Sequence, residues 1–154
     1  MVNVRPQPAA QPEPASRFSV LLTQDRPRTG VHWTHQLPRL LEPFGVRSYV
    51  ANTGRDALEL AERNSIHAAV VDLATPYGNA SDTRRTDRLA AGFWLLDLMR
   101  RLPERPPVVA VSNTATRTEI DRVMTEALRL GAFTVITGPI SLEVLLNAFQ
   151  RVVD

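Results

Sequence analysis

Two rhythms of apolar and polar positions alternate along this chain. Short, nearly unbroken apolar runs recur as RFSVLLT (17–23), HAAVVD (67–72), PPVVAVS (106–112) and AFTVIT (132–137), with a more mixed VRSYVA at 46–51. Runs of this length, bounded by turn residues, predict strands. Between them the apolar residues fall three and four apart, which predicts helices. Within 31–44 the residues Trp33, Leu37, Leu40, Leu41 and Phe44 are spaced for one face, and Pro38 is expected to start or kink that helix. GRDALELAERN (54–64) turns Ala57, Leu58 and Ala61 inward, and GFWLLDLMRRL (92–102) is a third helix. TRTEIDRVMTEALRLG (116–131) has Thr116 or Thr118 as N-cap and Gly131 as C-terminal cap, and SLEVLLNAFQRVV (141–153) has Ser141 as N-cap with Glu143 in its first turn.

The order is therefore βαβαβαβαβα. Strands 1, 3 and 4 are apolar nearly throughout, as in a parallel sheet covered by helices on both faces. Right-handed crossovers then predict a doubly wound, three-layer α/β domain of flavodoxin-like type over residues 17–154. Residues 1–16 carry Pro6, Pro8, Pro12 and Pro14 among Ala and Gln and read as a disordered or polyproline-like linker.

Composition narrows the function. The 154 residues, 44% hydrophobic and 22% charged, suit one globular domain. No run reaches the roughly 18–20 apolar residues of a membrane span, and the N-terminus lacks a signal-peptide core, so a cytoplasmic protein without a membrane partner is expected. The absence of cysteine excludes disulfides and thiolate metal sites. All 18 basic residues are arginine, so a pI near 9.9 accompanies a net charge of only +2. The densest cluster, Arg84, Arg85 and Arg88, is interleaved with Asp82 and Asp87, and no stacking aromatic accompanies it. Nucleic acid is not an expected partner.

The chemistry gathers where the strands end. In a doubly wound sheet ligands sit beyond the carboxyl ends of the strands. Strand 1 ends at Gln24-Asp25, strand 3 at Asp72, strand 4 at Ser112-Asn113 and strand 5 at Thr137-Gly138-Pro139. If strands 1 and 3 are neighbours, Asp25 and Asp72 share one rim, and two close carboxylates repel unless a cation or proton joins them. Oxygen donors suit a hard ion such as Mg²⁺. A carboxylate nucleophile at Asp72, a divalent ion and the Ser112 hydroxyl would make a phosphoryl-transfer pocket. The other reading is plainer: aspartate often follows a strand because it caps the turn.

In this order and spacing the chain resembles a response-regulator receiver domain of the CheY-like superfamily. VLLTQDRP resembles the first strand and its acidic pair, AAVVDLATP the third strand with its phosphoacceptor, PPVVAVSN the fourth strand with its switch hydroxyl, and GAFTVITGPI the fifth strand with its Lys-Pro end. The resemblance implies a sheet order 2-1-3-4-5. It implies Asp72 as phosphoacceptor, Ser112 as switch hydroxyl, and a Mg²⁺ site of Asp25, Asp72 and the Ala74 carbonyl. It also makes Gly138–Pro139 a candidate for a cis bond.

The departures are specific. Gln24 replaces the first acid of the pair, Asn113 is larger than the usual residue after the switch hydroxyl, Val135 stands at the strand-5 aromatic, and Gly138 replaces the lysine. No lysine exists elsewhere to substitute. The loop after strand 3, about 75–91, is also long and without core residues.

Two signalling readings follow: a stand-alone atypical receiver acting by protein contact, with an incomplete phosphorylation pocket and no enzyme activity, or a working Mg²⁺-dependent phosphoacceptor charged by a histidine kinase on Asp72. No output domain is seen beyond 17–154, so a downstream signalling protein or a homodimer is the expected partner. The resemblance points to the helix 4–strand 5–helix 5 face, with Glu119, Arg122, Arg129, Glu143, Asn147 and Gln150; these residues read equally as solvated helix surface. A cofactor-binding flavodoxin-like or cobalamin domain is the third class, but Pro27 in DRPRTG occupies the place of a ligating histidine, and His32 and His35 lack an evident third ligand. No glycine-rich nucleotide motif is present.

Overall fold

A computed structural model of the chain describes residues 18–25, 32–78, 89–114 and 116–153. Five strands, β1 (Phe18–Thr23), β2 (Val46–Ala51), β3 (Ala68–Asp72), β4 (Val108–Ser112) and β5 (Thr134–Thr137), form one sheet. Its order is β2-β1-β3-β4-β5 and every pairing is parallel. Five helices separate and follow them: α1 (Trp33–Leu41), α2 (Gly54–Arg63), α3 (Ala90–Met99), α4 (Arg117–Arg129) and α5 (Leu142–Val153). This is the predicted flavodoxin-like α/β fold. The N-terminal linker, the arginine cluster at 84–88 and the middle of the β3–α3 loop lie outside the described residues.

Strand parity divides the core into two. Leu21, Ala69, Val71 and Ala110 face one side, where they meet Ala57, Leu95, Leu96, Met99, Val123 and Ala127 of α2, α3 and α4. Val20, Leu22, Val70, Val109 and Val111 face the other, against Trp33 and Leu37 of α1 and Leu145 and Phe149 of α5. Each central strand therefore buries both faces, which is why its sequence reads as a continuous apolar run.

The caps follow the expected chemistry. Thr116 and Ser141 accept the Glu119 and Val144 N–H groups at 3.3 and 3.2 Å, and Thr53 accepts that of Asp56 at 3.0 Å. Gly131, in left-handed backbone, follows α4.

The first helix departs from expectation. Of the two expected places for Pro38, it does not start α1 but sits inside it. The helix begins at Trp33, so the ring costs one hydrogen bond in the second turn, and tertiary burial of Trp33, Leu37 and Leu41 holds the segment. Leu40 and Phe44, expected on the inner face, are 43% and 81% exposed. The chain turns into a 3-10 turn at Glu42–Phe44 and carries Phe44 off the helical face.

Candidate functional site at the carboxyl rim of the sheet

The rim is built around Asp72, the last residue of β3. Its backbone is fixed by two threonines. The Asp72 N–H donates to Thr23 Oγ1 at 3.1 Å, and the Thr75 hydroxyl donates to the Asp72 carbonyl at 2.5 Å. The two hydroxyls lie 2.8 Å apart. Since the Thr75 proton is committed to Asp72, Thr23 donates to Thr75. The three bonds close a ring: Asp72 N–H to Thr23, Thr23 to Thr75, Thr75 to the Asp72 carbonyl. Both threonines are buried, Thr23 at 0% and Thr75 at 1% exposure.

The Asp72 side chain is half-buried, and its Oδ1 accepts the Ala74 N–H at 2.9 Å. The carboxylate thus caps its own turn, as the plainer reading of the sequence had it. A carboxylate oxygen that takes one N–H keeps further acceptor capacity, so the cap does not use up the carboxylate. Ala74 stands in the same turn, and Asp25, also half-buried, follows β1, which pairs directly with β3. Ser112 ends β4 one residue beyond Val111, the register partner of Asp72, and is 4% exposed. The fold therefore brings Asp25, Asp72, Ala74 and Ser112 to one rim.

Two sequence departures acquire structural reasons. Gln24 is 4% exposed and its side chain is consumed internally: Nε2 donates to Asn52 Oδ1 and Oε1 accepts from the Thr34 hydroxyl, each at 2.7 Å. Gly138 holds φ +84°, a backbone region that favours glycine, and its N–H donates to the Ser112 carbonyl at 3.0 Å. That carbonyl also accepts from Thr114 N–H at 3.0 Å. Asn113 is exposed. The Gly138–Pro139 bond is trans, correcting the cis expectation; the turn after β5 is made instead by the positive φ of Gly138.

Sequence reasoning missed how the base of the β3–α3 loop is held. The first N–H groups of α2, Gly54 and Arg55, donate to the carbonyls of Pro76 and Tyr77 at 2.7 and 2.9 Å. These are helix donors with no intrahelical partner, satisfied here by a neighbouring loop. Tyr77 packs edge-on against Trp94 of α3 at 5.0 Å between ring centroids. On the other side, a Cβ at Gly92 would lie 2.3 Å from the Leu73 carbonyl oxygen, so α3 touches the backbone just after Asp72. Thr75 and Gly92 were the available signals in the sequence, but their partners are distant in the chain.

Other candidates fall away from the rim or into structure. His32 Nδ1 lies 2.7 Å from Thr34 Oγ1, and the His32 and His35 rings meet edge to face at 6.5 Å. Among the described residues no three His, Cys, Asp or Glu side chains gather as a metal cluster. On the α4 side, Glu119 bonds the Thr114 hydroxyl, Arg122 lies 5.6 Å over the Phe93 ring, and Arg129 pairs with Glu126. Glu143, Asn147 and Gln150 are exposed along α5. Among the described residues no helix is long and apolar enough to cross a membrane.

Solved CheY-like receiver domains share this doubly wound fold with sheet order 2-1-3-4-5 over most of the chain. A receiver domain from Methanospirillum hungatei JF-1 shares 19% identity at a TM-score of 0.64, covering 87% of this chain and 91% of its own. The BeF3-activated receiver domain of Klebsiella pneumoniae RstA shares 18% at 0.64, covering 87% and 97%. A receiver from Methylobacillus flagellatus shares 23% at 0.61, covering 88% and 98%. No protein-family model and no curated sequence matches the chain.

Proposed function

We propose that this chain is an atypical receiver module of two-component signalling that acts by protein contact through an incomplete phosphorylation pocket, and is not an enzyme. The observation that carries this reading is position 138. The lysine of ordinary receivers would supply a mobile cation to an incoming phosphoryl group; here a glycine in left-handed backbone is bonded to the Ser112 carbonyl. The chain has no lysine at all. Gln24, committed to Thr34 and Asn52, supplies no charge either. The partner is a histidine kinase or a downstream signalling protein in the cytoplasm, and the α4–β5–α5 surface, with Leu128, Phe133 and Val144 45–49% exposed, supports contact or homodimerisation there.

The second reading, a working phosphoacceptor, is favoured by the convergence of Asp72, Asp25 and Ser112 at one rim. The remaining donors, two carboxylates and the Ala74 carbonyl, are all oxygens and fit one hard cation such as Mg²⁺. A bound cation would neutralise charge on a phosphoryl group. Asp72 would be the nucleophile, and Ser112 would donate a hydrogen bond to the product. A Burkholderia pseudomallei response regulator of this fold, 21% identical, carries a phosphorylated aspartate and a calcium ion.

Amide NMR spectra with Mg²⁺ and beryllofluoride separate the two. The proposed reading expects resonances of Ser112, Thr114 and Val135–Gly138 to stay in place. Saturable shifts at those amides, lost in Asp72→Asn, would establish the second.

A further inference from the structure

The hydrogen bonds of Gln24 do more than fill the place of a lost acid. Its backbone N–H donates to the Ala51 carbonyl at 3.0 Å, at the end of β2. Its Nε2 donates to Asn52, beside the N-cap of α2, and its Oε1 accepts from Thr34 in the first turn of α1. Thr34 is 1% exposed. With its proton given to Gln24, Thr34 Oγ1 accepts from His32 Nδ1–H at 2.7 Å. The 3.3 Å approach of the Thr34 N–H to the same nitrogen is then a contact and not a hydrogen bond, because Nδ1 keeps no lone pair. One hydrogen-bonded chain, Asn52–Gln24–Thr34–His32, therefore joins the β1–α1 and β2–α2 junctions.

A carboxylate at position 24 could keep both contacts only with the Asn52 amide turned, and not without a buried charge. It accepts but does not donate, and a charge as buried as Gln24 needs a counter-ion. The amide meets one donor and one acceptor with its own acceptor and donor. It fixes the backbone immediately before Asp25 with no cation taking part.

We propose that Gln24 is a positioning residue: a neutral staple that holds the Asp25 side of the rim in one shape whether or not a divalent cation is bound, and that limits the charge available to such a cation to Asp25 and Asp72. The proposal rests on the reading of the pocket as incomplete and extends it.

Hydrogen exchange on the full chain, compared in MgCl2 and in EDTA, tests it together with calorimetric Mg²⁺ titration. Wild-type protection at 32–36 and 51–55 is expected to be the same in both buffers. Gln24→Ala should lose protection in both segments by about tenfold, the scale of one or two net hydrogen bonds. Gln24→Glu keeps the Thr34 bond, and Asn52 can turn its amide to donate. This variant should bind Mg²⁺ at least about tenfold more tightly, through one added charge, and show protection that now depends on Mg²⁺. If Gln24→Ala does not fold, Thr34→Val removes the bonds to Gln24 and His32, Asn52→Ala removes the bond to Gln24, and each must loosen both segments. Protection in the wild type that rises with Mg²⁺, unchanged exchange in Gln24→Ala, or unchanged Mg²⁺ affinity in Gln24→Glu overturns the staple. Phosphoryl uptake at Asp72 with cation-independent protection would instead overturn only the non-phosphorylating reading.

Discussion

The Thr23 and Thr75 hydroxyls lie 2.8 Å apart and close a hydrogen-bonded ring through the backbone of Asp72. Neither threonine touches the carboxylate in that ring, yet together they decide where β3 stops and the carboxylate begins. Thr75→Val removes both the donor to the Asp72 carbonyl and the acceptor for Thr23. The Asp72 carbonyl keeps the Thr75 N–H, so the buried Thr23 O–H is the group left without a partner, at a cost of about 1–3 kcal/mol in chemical denaturation. Because the ring is one unit, Thr23→Val with Thr75→Val should cost less than the sum of the single variants. Strict additivity would show that the ring is not cooperative.

Gly138→Lys returns the lysine of ordinary receivers to its place in the sequence, but not to its geometry. A Cβ there meets nothing within 4 Å, so the cost is backbone strain at φ +84° and not a clash. Gly138→Lys and Gly138→Ala should each lose about 1–2 kcal/mol, and the lysine variant should take up no phosphoryl group from a small donor. Unfolding curves and intact mass read the two effects separately.

Gly92 is the tighter constraint. Its substitution by alanine drives a methyl into the Leu73 backbone, which cannot yield as a side chain would. A loss of about 3 kcal/mol is expected, with amide shifts at Leu73–Thr75 in any variant that still folds. A neutral Gly92→Ala would mean that α3 does not rest on the turn after Asp72.

Acid should weaken α4 selectively. The Arg129 hydrogen bond, then its charge, holds the Glu126 carboxyl below the ordinary range. A depressed folded pKa stabilises above the unfolded value and is lost as pH falls through the folded one. The stability difference between wild type and Glu126→Gln should therefore be present at neutral pH and vanish in acid. It should also be small and salt-sensitive, since the pair is largely exposed. A difference that grows in acid would reverse the sign of this contact.

The alternation of periods was legible in the sequence because the sheet is buried on both faces: Ala68–Val71 and Val108–Val111 could only be central strands. The rim residues were legible too, since Asp72 and Ser112 each end a strand and Asp25 follows one. What escaped was pairwise and long-range. That Gln24 is bonded rather than merely neutral depends on Thr34 and Asn52, and that Thr75 matters depends on Thr23. The exposure of Phe44 depends on a 3-10 turn that apolar spacing does not reveal, and the trans Gly138–Pro139 bond on a positive φ that a glycine permits without announcing.

The central claim is that Asp72 stands at a receiver's acceptor position without accepting a phosphoryl group. Intact mass after incubation with Mg²⁺ and a small phosphodonor, beside Asp72→Asn and an ordinary receiver treated in parallel, tests it most directly. An unchanged mass, with the control receiver modified, is the expected result. A Mg²⁺-dependent gain of one phosphoryl group, absent from Asp72→Asn, would contradict it.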